Sequence, residues 1–307
     1  MTVVRSEETT ESIGDKPAFL RKRYESPSRR FARRLLSQKV ATASGVILIL
    51  VVLSAIFAPL LAPLDPNKTD LRNTLLPPGS ADFLLGTDYL GRDVLSRLLF
   101  AGRVSLVAAV QAVSVGLILG VAPALVAGYV GRWWDWLLMR FTDALLAFPP
   151  LILAITVIGI LGTGLTNAMI GVGIIFAPRF ARITRSAVLS VREETFVEAA
   201  KSMGLSQPRI IWRHVLPHLL SPLVVTATVL AGMAMIIEAG LSFIGLGVQV
   251  PQASWGSMLS TAYRFIRVSP TLILWPGLAI MITVLSVNLL GDGIRDALGR
   301  EVRDMSS

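Results

Sequence analysis

Two histidines, His214 and His218, are the only imidazoles in the 307 residues, and there is no cysteine. Four residues apart, the pair could share a helical face. A two-histidine metal site needs further ligands, however, and no carboxylate lies between them in the H-E-x-x-H manner. Pro217 also disrupts the spacing, so the pair reads as interfacial histidines and no metal site is expected. Without cysteine there is no thiolate nucleophile, disulfide or Cys-ligated metal. None of the five lysines, Lys16, Lys22, Lys39, Lys68 and Lys201, follows a glycine. No G-x-x-x-x-G-K-[ST] loop is therefore present to cradle ATP phosphates, and there is no G-x-S-x-G nucleophile elbow. The chain reads as non-catalytic, with its energy drawn from a partner or a gradient. One carboxylate stands out. Glu238 ends an otherwise uncharged apolar run, where an ionisable group is a functional candidate. It is a candidate pathway or gate residue that attracts an amino group; the plainer reading is pairing with a neighbouring helix. Asp143, three residues after Arg140, reads as an i, i+3 ion pair.

These groups are carried on apolar segments. Hydrophobic residues make up 53% of the chain and charged residues 16%, against about a quarter charged in soluble domains. The mean hydropathy is +0.66. This composition excludes a disordered chain, a disulfide-stapled secreted domain and a nucleic-acid-binding tail protein. A bilayer core needs about 20 apolar residues in a helix. Runs at 41–62, 104–130, 144–161, 215–237 and 272–290 meet or approach that length, the third being reached through Phe148-Pro149-Pro150. A further run starts near Leu165 but meets Arg179, Arg182 and Arg185, which must snorkel at its end. The expectation is an all-α membrane protein with six transmembrane helices. Six crossings put both termini on one side, and 22 of the 29 lysines and arginines fall there against 7 on the other. The positive-inside rule then gives N-in/C-in.

The polar residues 1–40 carry RKR at 21–23 and arginine pairs at 29–30 and 33–34. They read as a cytoplasmic orientation signal, with added attraction to anionic lipid. The region is too long for a signal-peptide n-region, so span one reads as a retained anchor. Gly116, Gly120 and Gly128 suit close helix packing. No internal repeat is visible, which disfavours the common secondary-transporter folds.

The segment 191–217, VREETFVEAAKSMGLSQPRIIWRHVLP, predicts a short capped helix. Thr195 and Glu198 fit a capping box, 196–203 makes two turns, and Gly204 falls where a left-handed residue ends a helix. Ser206 caps a second short helix with Pro208 in its first turn. The exposed surface would mix Phe196, Val197, Ala199, Ala200 and Met203. An apolar patch of this kind docks a partner or lies on lipid, and the residues alone leave both open.

In 85–106, Leu90, Val94, Leu95, Leu98 and Leu99 recur at helical spacing. Arg92, Asp93, Ser96 and Arg97 take the other face, with Thr87 or Asp88 as N-cap. The expectation is an amphipathic helix at the outer interface, whose wet ion pairs contribute under about 1 kcal/mol each.

Glu198-Ala199-Ala200, Gly204 and Leu216-Pro217 together resemble the EAA loop of ABC-importer permease subunits. Gly86, Thr87, Asp88, Gly91, Arg92, Asp93 and Arg97, in the order GTDxLGRDxxSR, resemble the hallmark of C-type permeases of dipeptide, oligopeptide and nickel ABC importers. Phe148-Pro149 and the LSFIGLG of 241–247 are similar to the same family, and the likeness covers roughly 40–300. The resemblance implies a type I importer, MetI-like fold, with 1–40 as an extension, 41–103 as first span and outer segment, 104–300 as permease core and 301–307 as tail. It implies that Thr195, Phe196, Glu198, Ala199, Ala200, Met203 and Gly204, within a coupling helix at 195–205, couple the chain to an ATPase. The Gly86–Arg97 residues would form an outer gate or binding-protein contact, or else a purely structural unit. The implied partners are a homologous B-type permease, two P-loop ATPase subunits carrying ATP and Mg, an extracytoplasmic substrate-binding protein and the lipid bilayer, with no nucleic acid. The implied place is the inner (cytoplasmic) membrane. Di- or oligopeptides are the first solute class, with glutathione or a nickel chelate open. A gradient-driven secondary transporter is the rival reading.

Overall fold

The apolar runs become long helices in the computed structural model, which describes residues 27–80 and 82–305. The arginines of 21–23 and the last two residues of the tail lie outside the described residues. In chain order the helices are α1 (Pro27–Ser37), α2 (Lys39–Ile56), α3 (Ala58–Leu61), α4 (Val94–Val130), α5 (Arg132–Leu146), α6 (Pro150–Leu161) and α7 (Leu165–Val191). They continue with α8 (Thr195–Ser202), α9 (Gln207–Ile210), α10 (Leu216–Phe243), α11 (Trp255–Arg264) and α12 (Thr271–Met305). A π-turn at Ile211–Val215 joins α9 to α10. No strand is formed among the described residues beyond two isolated bridges.

Among the described residues four helices are long and apolar enough to cross a membrane: Lys39–Ile56, Val94–Val130, Gln207–Phe243 and Thr271–Leu298. A fifth is reached only if α5 and α6 count as one span, and they are bent by 95°. The crossing expected over 144–161 is therefore broken into two helices. Pro149 and Pro150 start a new helix, and the chain turns sharply at Ala147–Pro149, where proline removes the amide that would continue α5. α7 has 27 residues, but its arginines keep it out of the apolar set.

α4 and α7 form the most extensive helix pair. They run parallel, since Gly116 meets Phe176 and Gly128 meets Val188. Small residues let the backbones approach. A Cβ on Gly116 would sit 2.8 Å from that of Phe176, and one on Gly120 would overlap the Ala177 carbonyl oxygen. The spacing of these glycines in the sequence therefore had a packing cause. Gly120→Ala is expected to force the pair apart at about 1–3 kcal/mol, seen as a lower unfolding temperature of the purified chain. Gly159→Ala, which meets open space, serves as the control.

Between the two parallel helices the chain must return. α6 does so antiparallel to α7, with Ala154 against Gly171 and the Asn167 side chain donating to the Leu161 carbonyl at 2.8 Å. α10 and α12 pair antiparallel, Gly232 meeting Asn288 and Gly291 meeting Thr228. Ala41 of α2 packs on Gly293 of α12, so the described N-terminal and C-terminal segments share one end of the bundle. The segment 62–93 and α11 cover the opposite end.

Candidate functional site

α8 lies at the same end as the chain's terminal helices. Its start departs from the expected capping box. Glu194, in extended backbone, holds the N-cap position, and no side chain caps the helix. Thr195 is the first helical residue; the Glu194 carbonyl takes the Val197 and Glu198 amides at 3.0 and 3.2 Å. Ser206 likewise precedes α9 without a side-chain cap, although Pro208 does sit in its first turn.

The far end of α8 is as expected. Gly204 has φ +75°. Its amide donates to the Lys201 carbonyl at 2.9 Å and the Leu205 amide to that of Ala200 at 3.2 Å, the paired bonds of a Schellman motif. Val197 and Ala200 are fully buried and join the main apolar core. The exposed patch is thus smaller than expected, consisting of Ala199 and Met203 beside Glu198. Phe196, half-buried, stacks on the His218 ring at 5.0 Å. Lys201 lies over the Tyr129 ring at 5.6 Å. These contacts clamp α8 between the end of α4 and the start of α10. His218 also bonds through Nδ1 to the His214 carbonyl at 2.7 Å. Its role as a brace for Phe196 had no motif to announce it.

Beside this end, α5 is tied to α7. Both Asp135 oxygens accept from Arg185, at 2.5 and 2.6 Å. Asp143 accepts from Arg182 at 2.7 Å, so its partner is not Arg140 as spacing suggested.

The Gly86–Arg97 segment is corrected more deeply. The helix begins only at Val94, capped by Asp93, whose Oδ2 accepts from the Ser96 amide at 2.8 Å and hydroxyl at 2.6 Å. Thr87 and Asp88 do not cap it, and Leu90 lies outside it. Gly86 and Gly91 have φ +81° and +74°, so residues 86–93 turn back on themselves. A Cβ on Gly91 would overlap the Asp70 carbonyl oxygen. Thr87, Asp88, Arg92, Asp93 and Arg97 are all buried, none above 8% exposed. The wet face is therefore a sealed polar knot. The Thr87 hydroxyl donates to the Asn73 carbonyl and accepts from the Leu76 amide. The Asp88 carboxylate faces Arg92 Nε at 2.7 Å and Arg97 Nε at 3.6 Å. A cavity of about 30 Å³ separates the knot from Met258, Ala262 and Phe265, room for about one or two waters.

Glu238 is 1% exposed. Its carboxylate accepts from the Ser242 hydroxyl at 2.7 Å and from the Ser105 hydroxyl of α4 at 3.3 Å. Ser105 in turn accepts the Trp255 amide at 3.1 Å, and Ser242 accepts the Val248 amide at 3.3 Å. Glu238 thus joins α4, α10 and the 248–255 loop through hydroxyls. Glu238→Leu strands these hydroxyls, and a loss of about 1–3 kcal/mol is expected, read as a lower unfolding temperature. Unchanged stability with lost uptake would instead favour the gate reading.

The comparisons with known proteins now fall into place. Residues 112–304 match the family model described as binding-protein-dependent transport system inner membrane component. Residues 26–78 match the N-terminal TM domain of oligopeptide transport permease C. The chain belongs to the family of binding-protein-dependent transport system inner membrane components, and its two domain matches together are those of a C-type ABC permease. The chain is 44% identical to the dipeptide transport system permease protein DppC of Alkalihalophilus pseudofirmus, over 91% of each chain. It is 42% identical to the glutathione transport system permease protein GsiD of Pectobacterium atrosepticum, over 94% of this chain and 95% of that one. Among solved structures, the inward-facing MetNI methionine ABC transporter aligns with TM-score 0.52 at 21% identity, over 66% of this chain and 96% of that chain. That likeness establishes a MetI-like fold. The protein is a multi-pass membrane permease subunit of an ABC transporter.

Proposed function

We propose that this chain forms half of the pathway of an ATP-driven importer for di- or oligopeptides, glutathione included, in the cytoplasmic membrane. One observation carries the coupling part of this reading: α8 is closed by a Schellman turn and contacts two long helices through Phe196 and Lys201, yet presents Glu198, Ala199 and Met203 outward. The solute class is supported by the names of the relatives. In the proposed arrangement α2, α4, α6 with the turn that leads into it from α5, α7, α10 and α12 make six crossings with both termini inside. Residues 1–40 form a cytoplasmic extension, 41–103 the first span and outer segment, 104–300 the core and 301–307 a tail.

Two P-loop ATPase subunits, holding ATP and Mg, dock on α8 and on its counterpart in a B-type permease. Glu198, Ala199 and Met203 make the contact, while Thr195, Phe196, Ala200 and Gly204 preserve the helix. An extracytoplasmic binding protein delivers the solute to the end where the Gly86–Arg97 knot lies. ATPase closure pushes α8 as a lever, and the spans re-tilt to give alternating access. The chain itself performs no catalysis. The test is to tag the chain, extract it gently and identify what co-purifies, then to reconstitute it. Co-purification of a P-loop ATPase and a second permease, with ATP-dependent peptide uptake, is expected. A chain that purifies alone and transports without ATP would overturn the reading.

A further inference from the structure

α5 is amphipathic in an unusual setting. Trp133, Trp134 and Trp136 are 60%, 59% and 60% exposed, and Phe141 is as open. The helix is nonetheless tied to α7 from its other side. Thr142 is buried, and Asp135 and Asp143 engage Arg185 and Arg182 of α7.

Those two pairs also fix the depth of α5. α6 runs antiparallel beside the first half of α7, from Asn167 to Gly171 and beyond. α5 is bent 95° from α6 and meets α7 where the guanidinium groups are. Arginines on a membrane helix place their charge at headgroup level. A helix that crosses a span at that level, nearly square to the preceding axis, lies along the membrane plane. Tryptophan is the residue most suited to that layer, with an apolar body and one N–H donor. Arg132 and Arg140 are exposed on the same helix and suit lipid phosphate.

Between α5 and α4 is a hollow of about 510 Å³, lined by Pro123, Val126, Trp134, Leu137, Leu138 and Phe141. Its walls are apolar throughout, and an opening of this kind is not stable facing water. Its position below a row of tryptophans and beside exposed arginines fits an amphiphile with an anionic head and an apolar tail.

We propose that α5 is an in-plane interfacial anchor. Trp133, Trp134 and Trp136 lie in the headgroup layer, Arg140 faces lipid phosphate, and a phospholipid acyl chain fills the α4–α5 hollow. The assignment to the inner leaflet rests on the orientation in the proposed function; the depth does not.

The absence of cysteine makes a direct depth measurement simple. Trp133→Cys, Trp136→Cys and Phe141→Cys are each spin-labelled in the full chain, purified with its co-purifying subunits and returned to vesicles of phosphatidylethanolamine and phosphatidylglycerol. Accessibility to oxygen and to a water-soluble nickel chelate is then read by electron paramagnetic resonance. Leu50→Cys on the exposed side of α2 marks the hydrocarbon, and Leu71→Cys in the outer segment marks water. The α5 labels are expected to give oxygen-to-nickel ratios between these two references, with Phe141 deeper than Trp133. Ratios equal to the water reference at all three sites would overturn the anchor. So would protection from both probes, which would mean that a protein subunit covers α5. The readout is the same from either leaflet, so an error in orientation shows only when the nickel chelate is confined to one side.

Discussion

Gly204→Val is expected to cut peptide uptake about tenfold or more while ATP hydrolysis by the co-purified subunits persists. The cause is conformational and not steric, because a Cβ at Gly204 meets nothing within 4 Å. At φ +75° a side chain costs about 1–2 kcal/mol, and a β-branched one is the worst case. The chain relieves that strain by leaving the left-handed conformation. The bonds from Gly204 to Lys201 and from Leu205 to Ala200 then break, and the last turn of α8 frays. Met203, the most exposed apolar residue of the segment at 74%, loses its fixed position. A frayed helix transmits little displacement to α10, even though Phe196 still rests on His218. Gly204→Asn is the matching control, since asparagine visits the left-handed region routinely, and it should keep most of the uptake. Normal uptake by the valine variant would remove the lever from the proposed mechanism.

What could be read in the sequence divides along the range of the interaction. Gly204 was legible because helix ends are closed by bonds within six residues and only a few residue types tolerate the required backbone. The close approach of α4 to α7 was half legible: Gly116, Gly120 and Gly128 announced a partner, but not which one. The capping box at Thr195 failed because the helix begins one residue earlier than it requires, with Glu194 at the N-cap and Thr195 already helical. The α5–α6 bend was visible as Pro149-Pro150 but was read as lying within a single span over 144–161. Both α5 and α6 pack on α7, which lies later in the chain. Partners far apart in sequence were the least legible. Asp143 finds Arg182 and Glu238 finds Ser105, and no local spacing encodes either. Burial of the Gly86–Arg97 residues was missed for the same reason. The helical period from Val94 onward was real, yet Gly86 and Gly91 break it upstream, and the lid over the polar residues comes from 66–76 and α11.

That burial makes Asp88→Ala the substitution with the largest expected loss of stability. One carboxylate answers two guanidinium groups. Oδ2 lies 2.7 Å from Arg92 Nε and 3.6 Å from Arg97 Nε, and Oδ1 accepts the Leu90 and Arg92 amides at 2.9 and 3.0 Å. Both arginines are 6% exposed. Arg97 keeps a bond to the Pro66 carbonyl at 3.0 Å, but no other carboxylate is within ion-pair distance of either arginine among the described residues. Removing Asp88 leaves two like charges buried side by side, and breaking a buried pair in this way costs about 3–5 kcal/mol. The expected readouts are a lower unfolding temperature and new protease cleavage in the 62–93 segment. Asp88→Asn keeps an acceptor for the two amides and should lose less. Asp88→Ala with Arg92→Leu removes the repulsion as well, so the double variant should be more stable than Asp88→Ala alone, a non-additivity that only contacting groups give. The knot and the coupling helix stand at opposite ends of α4, separated by about 50 Å at 1.5 Å per residue. A structural knot therefore predicts loss of folding without a selective effect on ATPase stimulation. If these residues act as an outer gate instead, Asp88→Ala leaves the unfolding temperature unchanged and alters uptake alone.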